Sequence, residues 1–268
     1  MRIIAFVNPM GGAGKTILAV NLAACLAEMG KRVLLVDMDA QANATTALGV
    51  FPEPGSSLYS ALVDGRSPKD VVRSTRLPNL FVIRSHTELL EMEMSVMQRG
   101  QHLTRLQVIM AELRALPDVD YIFLDCSPTM GVMTSAAMAA ADELLVPIGW
   151  EPLIFATIGC LLRQMQQVID SGSNPGLHVG GIVINGFDGN AVQLNKVAHE
   201  MNTRLEPRLS GNVTYTTVIP RSIALGEAAS YGLTILEYEH DGFPARAFRD
   251  LAREFVDRQN SETISKVS

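Results

Sequence analysis

Short apolar runs rich in β-branched residues alternate along most of the chain with longer segments of helical periodicity, and this alternation leaves few folds open. The apolar runs predict strands over residues 3–8, 32–37, 80–84, 121–125, 143–148, 178–185 and 215–219. The intervening segments predict helices over 15–29, 103–115, 132–140, 154–169, 192–206, 223–229 and 243–258. Several strands are apolar throughout rather than at every second residue, as in a sheet covered on both faces. Strand–helix alternation with right-handed crossovers implies an α/β fold: a doubly wound, mostly parallel sheet with helices on both faces. Gly- and Pro-rich stretches at 51–57, 171–176 and 187–189 fall between elements, and none is long enough for an interdomain linker. A single domain over 1–258 is expected, followed by a polar tail, 259–268, that frays.

Composition narrows the class. The chain has 268 residues, 47% of them hydrophobic and 19% charged, which suits a substantial core. Its mean hydropathy is +0.18. No run reaches the ~18 apolar residues of a membrane span; the stretch 130–148 is broken by Asp142 and Glu143. Asn8 and Pro9 interrupt the N-terminal apolar run, so no signal-peptide core is expected there. Cys25, Cys126 and Cys160 lack metal-ligand spacing and read as reduced core residues of a cytoplasmic protein. The five histidines are dispersed and suggest no metal pair. A net charge of −6 removes any whole-molecule attraction to nucleic acid, leaving only a local basic patch.

Three strand ends carry the chemistry. The first runs into Asn8-Pro9-Met10-Gly11-Gly12-Ala13-Gly14-Lys15-Thr16 and then a helix. A glycine-rich turn between strand and helix lets backbone N–H groups close around phosphate oxygens, with the helix N-terminus aimed at the same charge. Lys15 then reaches the terminal phosphates and Thr16 completes a Mg²⁺ shell. Position 9 is Pro where the strict G-x-x-x-x-G-K-[ST] pattern has Gly. The second strand ends in Asp37-Met38-Asp39, two carboxylates spaced to face one crevice, one for an attacking water and one supporting the metal. The run Tyr121-Ile122-Phe123-Leu124-Asp125 has the Walker B form, whose acid meets Mg²⁺.

With these residues, the sequence resembles the ParA/MinD group of deviant-Walker P-loop ATPases, and its ParA-like branch most of all. Gly11 to Thr16, Asp37 to Thr45 and Asp125-Cys126-Ser127-Pro128 match the three nucleotide motifs in order and spacing. The stretch from Val218-Ile219-Pro220-Arg221-Ser222 through Tyr231-Gly232 to Glu237-Tyr238 resembles the ParA C-terminal signature. The resemblance implies ATP and Mg²⁺ as cofactors, with Gly11, Gly12, Ala13, Gly14, Lys15, Thr16 and Ile17 around the phosphates. Thr16, Asp125 and Asp39 would lie at the metal, Asp39 would position the lytic water with Asp37 in support, and Asn185 and Pro220 would handle adenine. It also implies an ATP-dependent sandwich homodimer that binds nonspecific DNA on the nucleoid. A ParB-like protein or cargo adaptor would release the dimer by stimulating hydrolysis, so positioning a plasmid, chromosome or microcompartment.

Two positions depart from the family. Met10 stands where a signature Lys reaches across the dimer, as in carboxysome-positioning relatives that also lack it, and Ala40 replaces the usual Pro. With only five lysines, a substitute cation is expected from the C-terminal half: Lys196, or Arg163 or Arg221. For DNA, Lys196, Arg204, Arg208, Arg221, Arg246, Arg249 and Arg253 are the available cations, with Lys196 and Arg221 named as contributors. A hydrolysis-impaired binding module is one alternative and a MinD-like membrane switch another. The periodicity of 243–258 favours a helix docked on the domain over a membrane anchor.

Overall fold

The computed structural model describes residues 1–91, 102–116, 118–149, 154–189, 213–265 and the single positions 194, 199, 203 and 209. Its strands are β1 (Arg2–Phe6), β2 (Val33–Asp37), β3 (Val72–Ser74), β4 (Leu80–Ile83), β5 (Tyr121–Asp125), β6 (Glu143–Ile148), β7 (Val179–Phe187) and β8 (Ile219–Pro220). The helices are α1 (Lys15–Glu28), α2 (Asn43–Ala47), α3 (Leu58–Leu62), α4 (Pro68–Val71), α5 (His102–Arg114) and α6 (Val132–Ala140), then α7 (Ile154–Asp170), α8 (Ile223–Ser230), α9 (Ile235–Tyr238) and α10 (Phe243–Ser265).

The strands form one eight-stranded sheet in the order β3-β4-β2-β5-β1-β6-β7-β8. All pairings are parallel except β3 with β4. Helix α1 carries the chain from β1 toward β2, whereas α6 carries it from β5 past β1 to β6. The chain therefore changes direction beside β1, and ligand crevices open at the carboxyl ends of strands at such a point.

Alternation within the central strands builds two cores from one sheet. Ile3, Ala5, Leu34, Val36, Ile122 and Leu124 face α5, α6 and α7. Ile4, Phe6, Val33, Leu35, Tyr121 and Phe123 face α1 and α10. On that second side Phe6, Tyr121, Phe123 and Phe255 form edge-on aromatic contacts, with Phe6 and Phe123 centroids 4.8 Å apart. Buried Asn21 of α1 accepts from the Ile235 N–H at 2.7 Å, tying α9 to the same layer.

The structure departs from the sequence reading in four places. Strand β3 is an antiparallel edge strand that composition did not announce, because its three residues are only partly covered. The strand expected over 215–219 shrinks to its last residue plus Pro220. Its backbone is diverted: Glu254 accepts the N–H groups of Thr216 and Thr217 at 2.8 and 2.9 Å. The tail expected to fray is helical through Ser265, and Gln259 is buried against Glu143. Cys160 is only half-buried, unlike Cys25 and Cys126. Apart from three isolated positions, the helix expected over 192–206 lies outside the described residues, as does Lys196. No described helix is long and apolar enough to cross a membrane.

Candidate functional site

Asn8 fixes the loop between β1 and α1. Its amide nitrogen donates to the Pro147 carbonyl at 2.6 Å, and its Oδ1 accepts from the Met10 N–H at 2.7 Å. The loop then needs left-handed backbone at Gly12 (φ 79°) and Gly14 (φ 78°). At Gly14 space imposes the same choice, since a Cβ would stand 2.0 Å from Asn185 Nδ2. Asn185 is buried and donates to the Ala13 carbonyl at 3.0 Å, bracing the loop from β7. No side chain caps α1, so its first N–H groups remain available to an anion.

Lys15 begins α1 and is 6% exposed. Its ammonium turns back on the loop, donating to the carbonyls of Asn8 at 2.9 Å and Met10 at 3.3 Å. Burial lowers its pKa, opposed by the nearby charges of Asp125 and Asp39. Thr16 and Ile17 are half-buried behind it, while Gly11 and Gly12 are exposed.

Parallel register sets Asp37 beside Asp125 at the ends of β2 and β5. Both are wholly buried, yet their surroundings differ. Asp37 Oδ2 accepts from the Thr45 N–H at 2.8 Å and the Thr45 hydroxyl at 2.7 Å, and Oδ1 accepts from the Asp39 N–H at 3.1 Å. Burial nonetheless pushes its pKa up to about 6. Among the described residues no donor reaches either oxygen of Asp125 with full hydrogen-bond geometry, the Thr16 hydroxyl lying near. Burial, then the charge of Asp37, raises its pKa well above the usual carboxylate range, and the neighbouring Thr16 hydroxyl pulls the other way. A buried carboxylate in this position is costly unless a cation joins it. Hard oxygen donors from Asp125 and Thr16 fit a small divalent ion. Asp39 is half-buried at the rim, its Oδ1 accepting from the Gln41 N–H at 2.9 Å.

The structure thus gathers Lys15, Thr16, Asp37, Asp39 and Asp125 around one loop. Pro220, half-buried, pairs with Phe187 at the far edge beyond Asn185. Arg221 follows it, 74% exposed and ion-paired with Asp188 at 3.0 Å. Sequence reasoning assigned no role to Asn8 or Thr45. Asn8 is a polar residue just past an apolar strand, and that was its signal; Thr45 lies within α2 and offered none.

Comparison with known proteins gives the family. The family described as "AAA domain" matches residues 1–179. The chain is 34% identical over 257 residues to the chromosome-partitioning ATPase Soj of Treponema pallidum, covering 96% of this chain and 98% of that one. It is 33% identical over 260 residues to the chromosome partitioning protein ParA of Caulobacter vibrioides, covering 97% and 95%. Among solved structures, cobyrinic acid a,c-diamide synthase from Mycobacterium smegmatis with bound ADP and magnesium superposes with a TM-score of 0.79 at 26% identity, covering 98% and 96%. The chain belongs to the ParA/MinD family of P-loop ATPases.

Proposed function

We propose that the protein binds Mg-ATP between β1 and α1 and uses its hydrolysis to time a positioning or partitioning cycle. The observation that carries this reading is Asp125, fully buried without a hydrogen-bond partner among the described residues, beside Asp37 and within the field of Lys15. The segment 11–17 encloses the phosphates, and Lys15 exchanges its two carbonyl partners for β- and γ-phosphate oxygens. Thr16 and Asp125 hold the metal with Asp39 nearby; when bound, Mg²⁺ supplies positive charge to the phosphate oxygens. Asp39 orients the lytic water and Asp37, held by Thr45, supports it. Asn185 and Pro220 flank the adenine end.

Family membership supports the rest of the cycle: an ATP-dependent homodimer, retention on nonspecific DNA, and release by a ParB-like or cargo-adaptor protein. The relatives named for chromosome partitioning favour a DNA cargo. The protein then works in the cytoplasm on the nucleoid, as one domain with α10 docked on its core. Arg221 pairs with Asp188, Arg249 with Glu28 and Arg253 with Asp250. Arg246 has no ion pair among the described residues, while Lys196, Arg204 and Arg208 lie outside them.

Met10 favours a second reading, a switch impaired in hydrolysis. It is half-buried and places a thioether where the family has a cation. An arginine cation in phosphoryl transfer is worth about 10³-fold or more in rate.

The test is equilibrium binding of a fluorescent ATP analogue with and without Mg²⁺, followed by gel shifts on nonspecific DNA. Lys15→Ala should abolish nucleotide binding, and DNA retention should require ATP and weaken steeply with salt. Nucleotide affinity that survives Lys15→Ala intact would refute the site.

A further inference from the structure

The sheet face covered by α4 and α5 holds a cavity of about 240 Å³ at its β3 edge. It sits at the beginning of β2, whereas Asp37 closes the opposite end of that strand. Strand register builds its walls. Arg32 and Leu34 are two residues apart and share a face, and Leu34 lies beside Phe81 in the neighbouring strand. Val72 comes from β3, Leu116 and Val119 from the connection after α5, and Lys69 from α4.

The lining is divided chemically. Leu34, Val72, Phe81, Leu116 and Val119 make the interior apolar, and the two charged groups, Arg32 and Lys69, are both cations. The Arg32 guanidinium lies 5.4 Å from the Phe81 ring centroid, fixed over the apolar part. Its one ion pair among the described residues is a loose 3.8 Å contact with Asp118, whose side chain is 77% exposed. Lys69 makes no ion pair among the described residues. The Arg32 side chain is 42% exposed, so its terminal N–H groups, held only by that loose ion pair, are open to an anion, and the walls ask for a hydrocarbon.

We propose that this cavity binds a small amphipathic monocarboxylate, its tail against Leu34, Phe81 and Val119 and its carboxylate on Arg32 and Lys69. Size supports the class. A cavity of about 150 Å³ holds one benzene, so this one takes a tail of about six to eight carbons beside a carboxylate. Inorganic phosphate would leave the walls unfilled, and a neutral hydrocarbon would leave the two cations without an anion.

Isothermal titration with sodium octanoate tests this, with octan-1-ol as the neutral probe of equal length. Octanoate should bind saturably at one site per chain, and octan-1-ol about tenfold more weakly or worse. Arg32→Gln and the cavity-filling Val119→Phe should each weaken octanoate by about tenfold or more, and Lys69→Gln by a smaller factor. Lys15→Ala should leave octanoate affinity unchanged, separating this cavity from the nucleotide site. Circular dichroism checks that each variant folds. Lys69 is exposed, so Lys69→Gln decides the matter even where the deeper substitutions disturb the fold. No saturable heat at about 10 mM octanoate, unchanged affinity in the folded variants, or competition by ATP would overturn the proposal.

Discussion

The Thr45 hydroxyl donates to Asp37 Oδ2 at 2.7 Å while accepting from the Ser85 N–H at 3.0 Å. One buried hydroxyl thus joins the acid at the end of β2 to the chain leaving β4. Thr45→Val keeps the shape and removes both bonds, leaving Asp37 and a buried N–H short of partners. The variant should lose about 1–3 kcal/mol of stability in urea denaturation, and Thr45→Ser should lose less. A valine variant as stable as the parent would sink this account of Asp37.

Asp125 predicts opposite effects on stability and binding. Its buried carboxylate has no hydrogen-bond partner among the described residues. Asp125→Asn removes that charge at constant shape, so the thermal midpoint without nucleotide should rise. Mg-dependent nucleotide affinity should fall in the same variant. A midpoint that falls along with affinity would mean that Asp125 is satisfied within the fold and is not waiting for a cation.

The nucleotide motifs were legible because their chemistry demands particular residue types at short range. Asp37 and Asp125 each end a strand whose apolar residues announce it, and Gly14-Lys15 opens the helix that follows another. What escaped depends on partners distant in sequence. The alternation over 215–219 looks like a strand, but Glu254, 37 residues beyond Thr217, takes the N–H groups a ladder would use. The polar letters after Arg258 show no face, yet Gln259 finds a buried acid in Glu143 across 116 positions. Asn185 could be placed at a strand end, but not against the Ala13 carbonyl, 172 positions away.

Glu254 should also give stability an acid limit. Burial alone would raise its pKa, but hydrogen bonds from Thr216 and Thr217 hold it below the ordinary value. A carboxylate with a lowered folded pKa stabilises fully above its unfolded value, about 4.3, and loses that contribution as pH falls through the lower folded value. Glu254→Gln should therefore cost about 1 kcal/mol at pH 7. The gap between variant and parent should narrow in denaturation curves taken below about pH 4. A gap independent of pH would show that the charge on Glu254 contributes nothing.

Gly14 and Asn185 should be coupled. Gly14→Ala sets a Cβ against Asn185 Nδ2 at 2.0 Å and forces Ala into φ 78°. Trimming Asn185 to Ala relieves the first problem and leaves the second, about 1 kcal/mol of backbone strain. In a double-mutant cycle, Gly14→Ala should be far less damaging to stability on the Asn185→Ala background. Additive losses would mean that the loop escapes the contact by moving.

Met10→Lys should separate the two functional readings. The Met10 backbone is already committed, its N–H to Asn8 and its carbonyl to Lys15, so the substitution changes only a half-buried side chain. In the nucleotide-free protein a second ammonium near Lys15 gains little, because like charges repel where solvent is partly excluded. With ATP bound, the same ammonium meets polyphosphate charge, and any gain appears only in the presence of nucleotide. If the native protein lacks a substitute cation, Met10→Lys should raise steady-state phosphate release by about tenfold or more. If Arg163, Arg221 or Lys196 already supplies that charge, the rate should change little, and replacing the responsible residue by Ala should lower it. A strong gain in Met10→Lys, together with no loss in the three alanine variants, would establish the chain as a switch impaired in hydrolysis.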